Sequence, residues 1–327
     1  MANIEYRSNP ELKILRDDWK GNACVDGRFV NESPWCGVSV LKALKWRFGK
    51  NPQRQEKRSD KFRVKAFEYS DFSRGVDRIV WLGHSSFFIS IAGINLLTDP
   101  CLIDLPMVHR KVDLPCRIKE IKPIDYLLVS HDHRDHFDAR SFNLLRTQNP
   151  DMQALVPLGM SGLVWNVRFQ EAGWYQKFSI NGSNLQIVML PAKHWCRRGL
   201  TDYNKRLWGS FLIISKKLKI YFAGDTGYDA SQFREIHRLF GNVDVCLLPI
   251  GAYAPRWMMG EQHIDPEEAV KAFVDLGGYV LVPMHYGTYD LSDEPPGEPL
   301  RLLRRYAREM GCEGSICDVS VGDVLRL

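Results

Sequence analysis

The chain has 327 residues, of which 45% are hydrophobic, eight are cysteines, and the formal net charge is +5. No run approaches the roughly 18 apolar residues of a membrane span, and the charged N-terminal segment is unlike a secretory signal. The cysteines lack a CxxC pair, which predicts reduced thiols and a cytoplasmic location rather than a disulfide-stabilised secreted protein.

The first 77 residues are polar, poorly periodic and punctuated by Gly, Asn and Pro. We expect this N-terminal extension to pack on or beside a main domain of residues 78–327. The exception is a helical pattern near 38–48 with apolar residues on one face and basic residues off it: Val40, Leu41, Leu44 and Phe48 against Lys42, Lys45 and Arg47. One interpretation is a cover helix packed on the main domain. The other is a surface helix that touches anionic lipid at the inner face of a membrane.

From residue 78 onward the sequence consists of short runs rich in residues that favour β-strands. Segments 79–82, 87–91 and 94–97 are separated by turn residues and predict an antiparallel meander. Asp99 follows the third strand, where it could orient a metal ligand through a hydrogen bond or simply form a turn. Residues 101–122 predict a long loop that roofs a cleft.

The rest of the chain alternates strands and helices, which is typical of an α/β fold. The predicted strands are 126–129, 154–157, 185–190, 210–214, 218–223, 245–250 and 279–284. The predicted helices are 139–148, a second one after the strand at 154–157, 231–240, one that begins after Asp265, and 298–310.

A cluster of histidines and carboxylates directly follows the strand at 126–129. The segment reads His131-Asp-His133-Arg-Asp135-His136, which is far too polar to continue a buried strand. Neutral imidazole and carboxylate are the ligands of zinc and similar divalent ions. We therefore predict a metal site, with Asp135 and His136 offset enough to serve a second ion.

Three more candidate ligands stand in the same position relative to a strand. His194, Asp225 and His285 each follow a predicted buried strand. Because sites in layered α/β folds assemble where strands end, we expect these side chains to converge with the histidine loop into a dinuclear site.

These residues resemble the metallo-β-lactamase superfamily, and more narrowly its N-acylphosphatidylethanolamine-hydrolysing phospholipase D branch. The resemblance covers roughly residues 78–311, and its most specific part is residues 255–269. Besides the histidine loop, the matching segments are Trp-Leu-Gly-His (81–84), Leu-Thr-Asp-Pro (97–100), His-Trp-Cys (194–196), Leu-Trp-Gly (207–209), Phe-Ala-Gly-Asp-Thr-Gly-Tyr (222–228), Pro-Ile-Gly-Ala-Tyr (249–253), Pro-Arg-Trp (255–257), Gln-His-Ile-Asp-Pro-Glu-Glu-Ala (262–269) and His-Tyr-Gly-Thr (285–288).

The resemblance implies a four-layer αββα sandwich, the metallo-β-lactamase fold, that holds two Zn²⁺ ions per chain, although other divalent ions would suit the same ligands. One ion would be held by His131, His133 and His194, and the other by Asp135, His136 and His285, with Asp225 bridging. His263 would act near the substrate phosphate, and Gln262 would help to position it. Asp135, Asp225 and His263 are the candidates for moving the proton.

The activity that the resemblance implies is phospholipase D-type hydrolysis of N-acylphosphatidylethanolamine to phosphatidic acid and an N-acylethanolamine, by water activated on the metal ions. A lactonase or a nuclease on the same fold is the alternative, and a non-catalytic lipid-binding protein is a further one. The expected partners are a phospholipid or other phosphodiester substrate, a peripheral membrane surface and a second copy in a homodimer. No nucleic acid is expected.

Overall fold

The computed structural model describes residues 4–33, 37, 40–182 and 184–327. The strands are β1 Ile4–Arg7, β2 Lys13–Ile14, β3 Asn22–Val25, β4 Arg28–Phe29, β5 Arg78–Gly83, β6 Ser86–Ile91, β7 Ile94–Thr98, β8 Tyr126–Leu128, β9 Gln153–Pro157, β10 Arg168–Ala172, β11 Gln176–Lys177, β12 Gln186–Leu190, β13 Ser210–Ile214, β14 Lys219–Phe222, β15 Val243–Pro249, β16 Gly278–Met284 and β17 Val324–Arg326. The α-helices are α1 Val40–Phe48, α2 Arg54–Ser59, α3 Ala139–Gln148, α4 Ala230–Phe240, α5 Arg256–Met259, α6 Pro266–Asp275 and α7 Glu298–Glu309.

Two seven-stranded sheets form the centre of the molecule. The first has the order β10-β9-β8-β7-β6-β5-β17 and the second β16-β15-β14-β13-β12-β11-β2. Along β5, Ile79 and Trp81 join the hydrophobic cluster that also contains side chains of the second sheet, whereas Val80 and Leu82 join a separate cluster with Phe142 of α3. This alternation is the pleat of a strand that is buried on both faces.

Helices cover the outer face of each sheet. Helix α3 packs on the first sheet, while Phe233 of α4 and Phe273 of α6 join the cluster of the second. The layers are therefore helix, sheet, sheet and helix. The αββα sandwich predicted from the sequence is confirmed.

The predicted meander is confirmed, since β5, β6 and β7 pair antiparallel in order. The second helix predicted after the strand at 154–157 is wrong. The chain there makes a single 3-10 turn, Ser161–Leu163, and then β10, which pairs in parallel with β9. Gly159 lies at φ +84° between β9 and this turn, a conformation that interrupts a helix.

The segment before residue 78 contains short strands that the sequence pattern did not reveal. Strands β1, β3 and β4 form a small sheet of their own, and β2 pairs with β11 at the edge of the second large sheet. The boundary predicted between residues 77 and 78 stays a prediction.

Helix α1 confirms the helical pattern, although residues 38 and 39 lie outside the described residues. Three of its apolar side chains are exposed, with 78% of Leu41, 47% of Leu44 and 83% of Phe48 open to solvent, while the side chain of Val40 lies outside the described part of the structure. The cover-helix interpretation, in which this face packs on the main domain, is therefore wrong for these three side chains.

Among the described residues, the helices are all too short or too polar to cross a membrane. The seven described cysteines are free thiols, and four of them are buried.

Candidate metal centre

The loop that leaves β8 presents the first set of polar side chains. It turns back on itself because the carbonyl of His133 accepts hydrogen bonds from the backbone N–H groups of His136 and Phe137. Asp138 then caps α3 by accepting a hydrogen bond from the N–H of Ser141. The tight turn and the cap hold three histidines and Asp135 at the end of the first sheet.

A first ligand group brings this loop together with the ends of β12 and β14. Nε2 of His131 lies 2.9 Å from Nδ1 of His133, and Nε2 of His194 lies 3.2 Å from the same atom. Oδ2 of Asp225 is 3.9 Å from His131 Nε2 and 3.8 Å from His194 Nε2. The four side chains converge on one point.

A second group lies beside it and includes the residue that ends β16. Nε2 of His285 lies 3.2 Å from Nε2 of His136 and 3.7 Å from Oδ2 of Asp135. Asp225 reaches this group as well, because Oδ2 is 3.1 Å from His136 Nε2 and Oδ1 is 3.1 Å from His285 Nε2. Asp225 therefore lies between the two groups and contacts both, while its role as a bridging metal ligand stays a prediction.

The residues fit metal ions by donor type and by spacing. Tetrahedral zinc with bonds of about 2.0–2.1 Å separates its ligand atoms by about 3.3 Å. The distances between donor atoms given above run from 2.9 to 3.9 Å and bracket this spacing. Buried Nε2 of His133 and Oδ1 of Asp225 also have no hydrogen-bond partner among the described residues. Buried polar atoms without partners are costly, and a bound cation would pair the carboxylate.

The protonation states of His131, His194 and Asp225 suit ligation. Burial lowers the pKa of His131 and His194 well below the usual value, so their imidazoles are neutral and can donate to a metal. Burial acts against ionisation of Asp225, but the nearby imidazoles of His136 and His285 hold the pKa of this carboxyl well below its usual range. Asp225 is therefore a carboxylate at neutral pH.

Two of the ligands are oriented by partners on their other ring nitrogen. Nδ1 of His136 lies 2.7 Å from Oδ2 of Asp99, and Nδ1 of His194 lies 3.1 Å from the backbone carbonyl of Gln262. Such hydrogen bonds fix the ring and make the ligating nitrogen a better donor. Asp99 was predicted either to orient a metal ligand or to form a simple turn. Its contact with His136 favours the first interpretation.

Not every carboxylate of the loop belongs to the site. Asp132 is buried but turns away, where its carboxylate pairs with Arg206 at 2.6 Å and accepts a hydrogen bond from the N–H of Arg197. It ties the loop to residues 197–206 instead of contributing a ligand.

Sequence reasoning missed His84, which lies against the second group. Its Nε2 is 3.3 Å from Oδ2 of Asp135, and its ring centroid is 4.0 Å from that of His285. Its backbone carbonyl also accepts hydrogen bonds from Trp81 Nε1 and from the N–H of His285. The sequence contained a pattern that could have identified His84 as a site residue. His84 follows strand β5, as His131 follows β8.

His263 and Gln262, the two residues predicted to contact the substrate phosphate, differ in what their side chains contact. Nδ1 of His263 is 3.7 Å from Oδ2 of Asp225, and burial lowers the pKa of His263 to about 4, so the ring is neutral at pH 7. The side chain of Gln262 instead accepts a hydrogen bond from Trp195 Nε1, which leaves its amide nitrogen with only 3.5 Å contacts to Met258 and Met259.

A cleft of about 720 Å³ opens onto this centre. His133, Asp135, Asp225, His263 and His285 line its floor. Its walls are largely apolar and are built by Leu105, Pro106, Val108, Trp195, Met258, Met259 and Leu291. The loop at 101–122 was predicted to roof a cleft, and it supplies part of a cleft wall.

Residues 94–286 match the family described as the beta-lactamase superfamily domain. The N-acyl-phosphatidylethanolamine-hydrolyzing phospholipase D 1 of Caenorhabditis elegans is 33% identical to the chain over 265 residues, covering 75% of this chain and 74% of the relative. The chain belongs to this phospholipase D family of the metallo-β-lactamase superfamily.

Other relatives extend the comparison. The mitochondrial N-acyl-phosphatidylethanolamine-hydrolyzing phospholipase D of Saccharomyces cerevisiae is 34% identical over 242 residues, which is 69% of this chain but only 51% of that protein. The chain therefore spans about half of the yeast relative's length. The solved structure of the metallo hydrolase Igni18 from Ignicoccus hospitalis superposes with a TM-score of 0.60 at 21% identity, covering 77% of this chain and 99% of Igni18, which shows the shared fold. The protein is a metal-dependent hydrolase.

Proposed function

We propose that this protein is a zinc-dependent phosphodiesterase that hydrolyses N-acylphosphatidylethanolamine to phosphatidic acid and an N-acylethanolamine. The observation that carries the proposal is two adjoining ligand groups, joined by Asp225, on the floor of a cleft with apolar walls. The floor suits a phosphodiester and the walls suit acyl chains. The names of the nematode and yeast relatives support this substrate.

Two bound ions would be held by His131, His133 and His194 on one side and by Asp135, His136 and His285 on the other, with Asp225 between them. Such ions supply Lewis acidity, which activates a water and neutralises charge on a phosphoryl oxygen.

The residues of the chain then have separate tasks. Asp225 and Asp135 are carboxylates beside the place of attack and can accept a proton there. His263 is neutral and lies next to Asp225, where its ring can hydrogen-bond a phosphoryl oxygen, or accept a proton from the attacking water and then pass it to the leaving alkoxide. Gln262 contributes through its backbone carbonyl, which orients His194, and its side chain lines the same cleft.

The cleft mouth offers a surface for a lipid leaflet. Helix α1 packs against α5, where Nζ of Lys45 lies 5.1 Å from the centroid of the half-exposed Trp257 ring. Exposed Leu41, Leu44 and Phe48 are interleaved with basic residues on this helix, as in helices that lie in a membrane interface. Met107, in the segment whose neighbours Pro106 and Val108 line the cleft, is 96% exposed. The proposal therefore includes peripheral contact with an anionic leaflet. It also places the protein in a reducing compartment such as the cytoplasm, because such a compartment suits the free thiols.

A panel of lipids with mass-spectrometric detection of products tests the proposal. We expect N-acylphosphatidylethanolamine to give phosphatidic acid and an N-acylethanolamine. A lactone and a single-stranded oligonucleotide serve as the substrates of the alternative activities. Turnover of either one, with no cleavage of any phospholipid, would contradict the proposal.

A further inference from the structure

A second, smaller cavity lies beside the metal centre. It has a volume of about 170 Å³ and shares His285, Ala252 and Leu291 with the cleft. At the 10–15 Å³ that one water needs, this is room for on the order of ten waters, which suits a small anion better than an acyl chain. Five lysines and arginines line it, and we call it the basic cavity: Lys57, Arg58, Lys61, Arg63 and Lys111.

The carboxylates of the basic cavity are already engaged. Asp290 pairs with Lys57 at 2.5 Å. Asp60 accepts hydrogen bonds from the N–H groups of Phe62 and Gly297 and pairs with Arg301. Glu294 accepts hydrogen bonds from two backbone N–H groups, those of Ala252 and Ala254.

The other four cations of the basic cavity, by contrast, have no carboxylate partner. Within the described part of the chain, no acidic side chain forms an ion pair with Arg58, Lys61, Arg63 or Lys111. Unpaired positive charges around one concave surface create a local positive potential that attracts an anion.

His285, which lines both this cavity and the cleft, also has a ring nitrogen without a partner. His285 lines the basic cavity, and its Nε2 converges with the other ligand atoms while its buried Nδ1 has no hydrogen-bond partner among the described residues. A metal-ligating histidine normally donates its second N–H to a carboxylate, a carbonyl or a water. His285 therefore places an unsatisfied ring nitrogen of the second ligand group beside the basic cavity.

We propose that the basic cavity binds a phosphate monoester. The inference rests on the proposed function, because hydrolysis of a phosphodiester turns a monoanion into a monoester that carries about −1.5 to −2 at pH 7. The extra charge favours transfer of the product headgroup from the metal centre into the adjoining basic cavity. Arginine can hold a phosphate through two parallel N–H···O bonds, and lysine adds point charge. Soluble phosphate monoesters bind the same residues and act as inhibitors.

Calorimetric titration of the metal-loaded protein with glycerol 3-phosphate tests the site without any turnover. The triple variant Arg58→Gln, Lys61→Gln and Arg63→Gln removes three cations of the basic cavity and no metal ligand. We expect at least a tenfold loss of affinity, since hydrogen bonds between charged groups are among the strongest in proteins. Metal content should be unchanged.

A matched control removes the same charge from the same segment. Lys50→Gln, Arg54→Gln and Lys65→Gln change exposed cations that do not line the basic cavity, and the affinity should stay within twofold of the parent. If the first variant does not fold, Lys111→Gln, which lies in a different segment, should still weaken binding by several-fold.

Three results would overturn the inference. Unchanged affinity in the triple variant would mean that the basic cavity binds no phosphate monoester. An equal loss in the control would mean that only diffuse charge is at work. Weaker binding to vesicles that contain phosphatidic acid, with unchanged binding of glycerol 3-phosphate, would show that these cations contact a membrane surface. Failure of the lipid panel would leave the titration result unaffected, so the two proposals fail separately.

Discussion

Oδ2 of Asp99 lies 2.7 Å from Nδ1 of His136, and both side chains are buried. The same carboxylate accepts hydrogen bonds from the N–H and the hydroxyl of Ser130. Asp99 therefore connects the end of β7 to the loop after β8 and sets the orientation of one metal ligand.

Replacing Asp99 with Asn should weaken metal binding by about 10–100-fold, because the His136 ring loses the charged acceptor that holds it. Metal retained after dialysis against graded chelator concentrations measures the effect. Asp125→Asn, just before the opposite end of β8, is the matched control and should retain metal like the parent. Equal retention by the two variants would contradict the role of Asp99.

The metal stoichiometry follows from the two ligand groups. Seven ligand side chains are too many for one tetrahedral ion, so protein purified without chelator should contain about two equivalents of zinc by elemental analysis. A stable value of one that does not rise when zinc is added would contradict the dinuclear centre.

Asp225 and His263 should differ when each is replaced. Asp225→Asn removes a charge shared by both ligand groups, so it should lose activity and at least one equivalent of metal. His263→Ala should lose activity while metal content stays at the parent value. His263 lies beside the two ligand groups but is not one of the predicted metal ligands. Loss of zinc from His263→Ala would show that this assignment of roles is wrong.

The surface of α1 can be separated from the chemistry. Replacing Lys42, Lys45 and Arg47 with Gln should weaken binding to anionic vesicles on the order of 100-fold, at about 1 kcal/mol for each basic residue near the surface. Turnover of a soluble phosphodiester should not change. Replacement of three remote exposed lysines, Lys119, Lys216 and Lys217, removes equal charge and should leave most vesicle binding intact. Equal binding by the α1 variant and the parent would exclude this helix as the contact.

An isotope experiment can show which atom the water attacks. If water attacks phosphorus, reaction in ¹⁸O-labelled water should place the label in phosphatidic acid and none in the N-acylethanolamine. Label in the N-acylethanolamine would mean attack at carbon. Release of free fatty acid would mean that an acyl bond is cleaved, and the phospholipase D proposal would then be wrong.

Much of the architecture and the candidate ligands could be predicted from the sequence, because both are local properties. Apolar runs of strand length identify β5 to β8, and the abrupt polar residues at 131–136 identify the loop. His194, Asp225 and His285 follow the same rule, and the pleat of each strand then fixes which side chains are buried. The second helix predicted after β9 was wrong because pairing with β9 decides the conformation of residues 168–172, and pairing is not a local property.

Only the tertiary structure decided which of these side chains meet. Strand β8 belongs to the first sheet, whereas β12, β14 and β16 belong to the second, so the ligand groups exist only because the two sheets pack with these ends together. The same packing places His84 against Asp135 and seats Arg58 and Lys111, 53 positions apart in the chain, around one cavity. It also leaves Leu41 and Phe48 in solvent, although their helical spacing alone suits a buried face equally well. Periodicity tells which residues share a face, but what that face meets depends on contacts between segments remote in sequence.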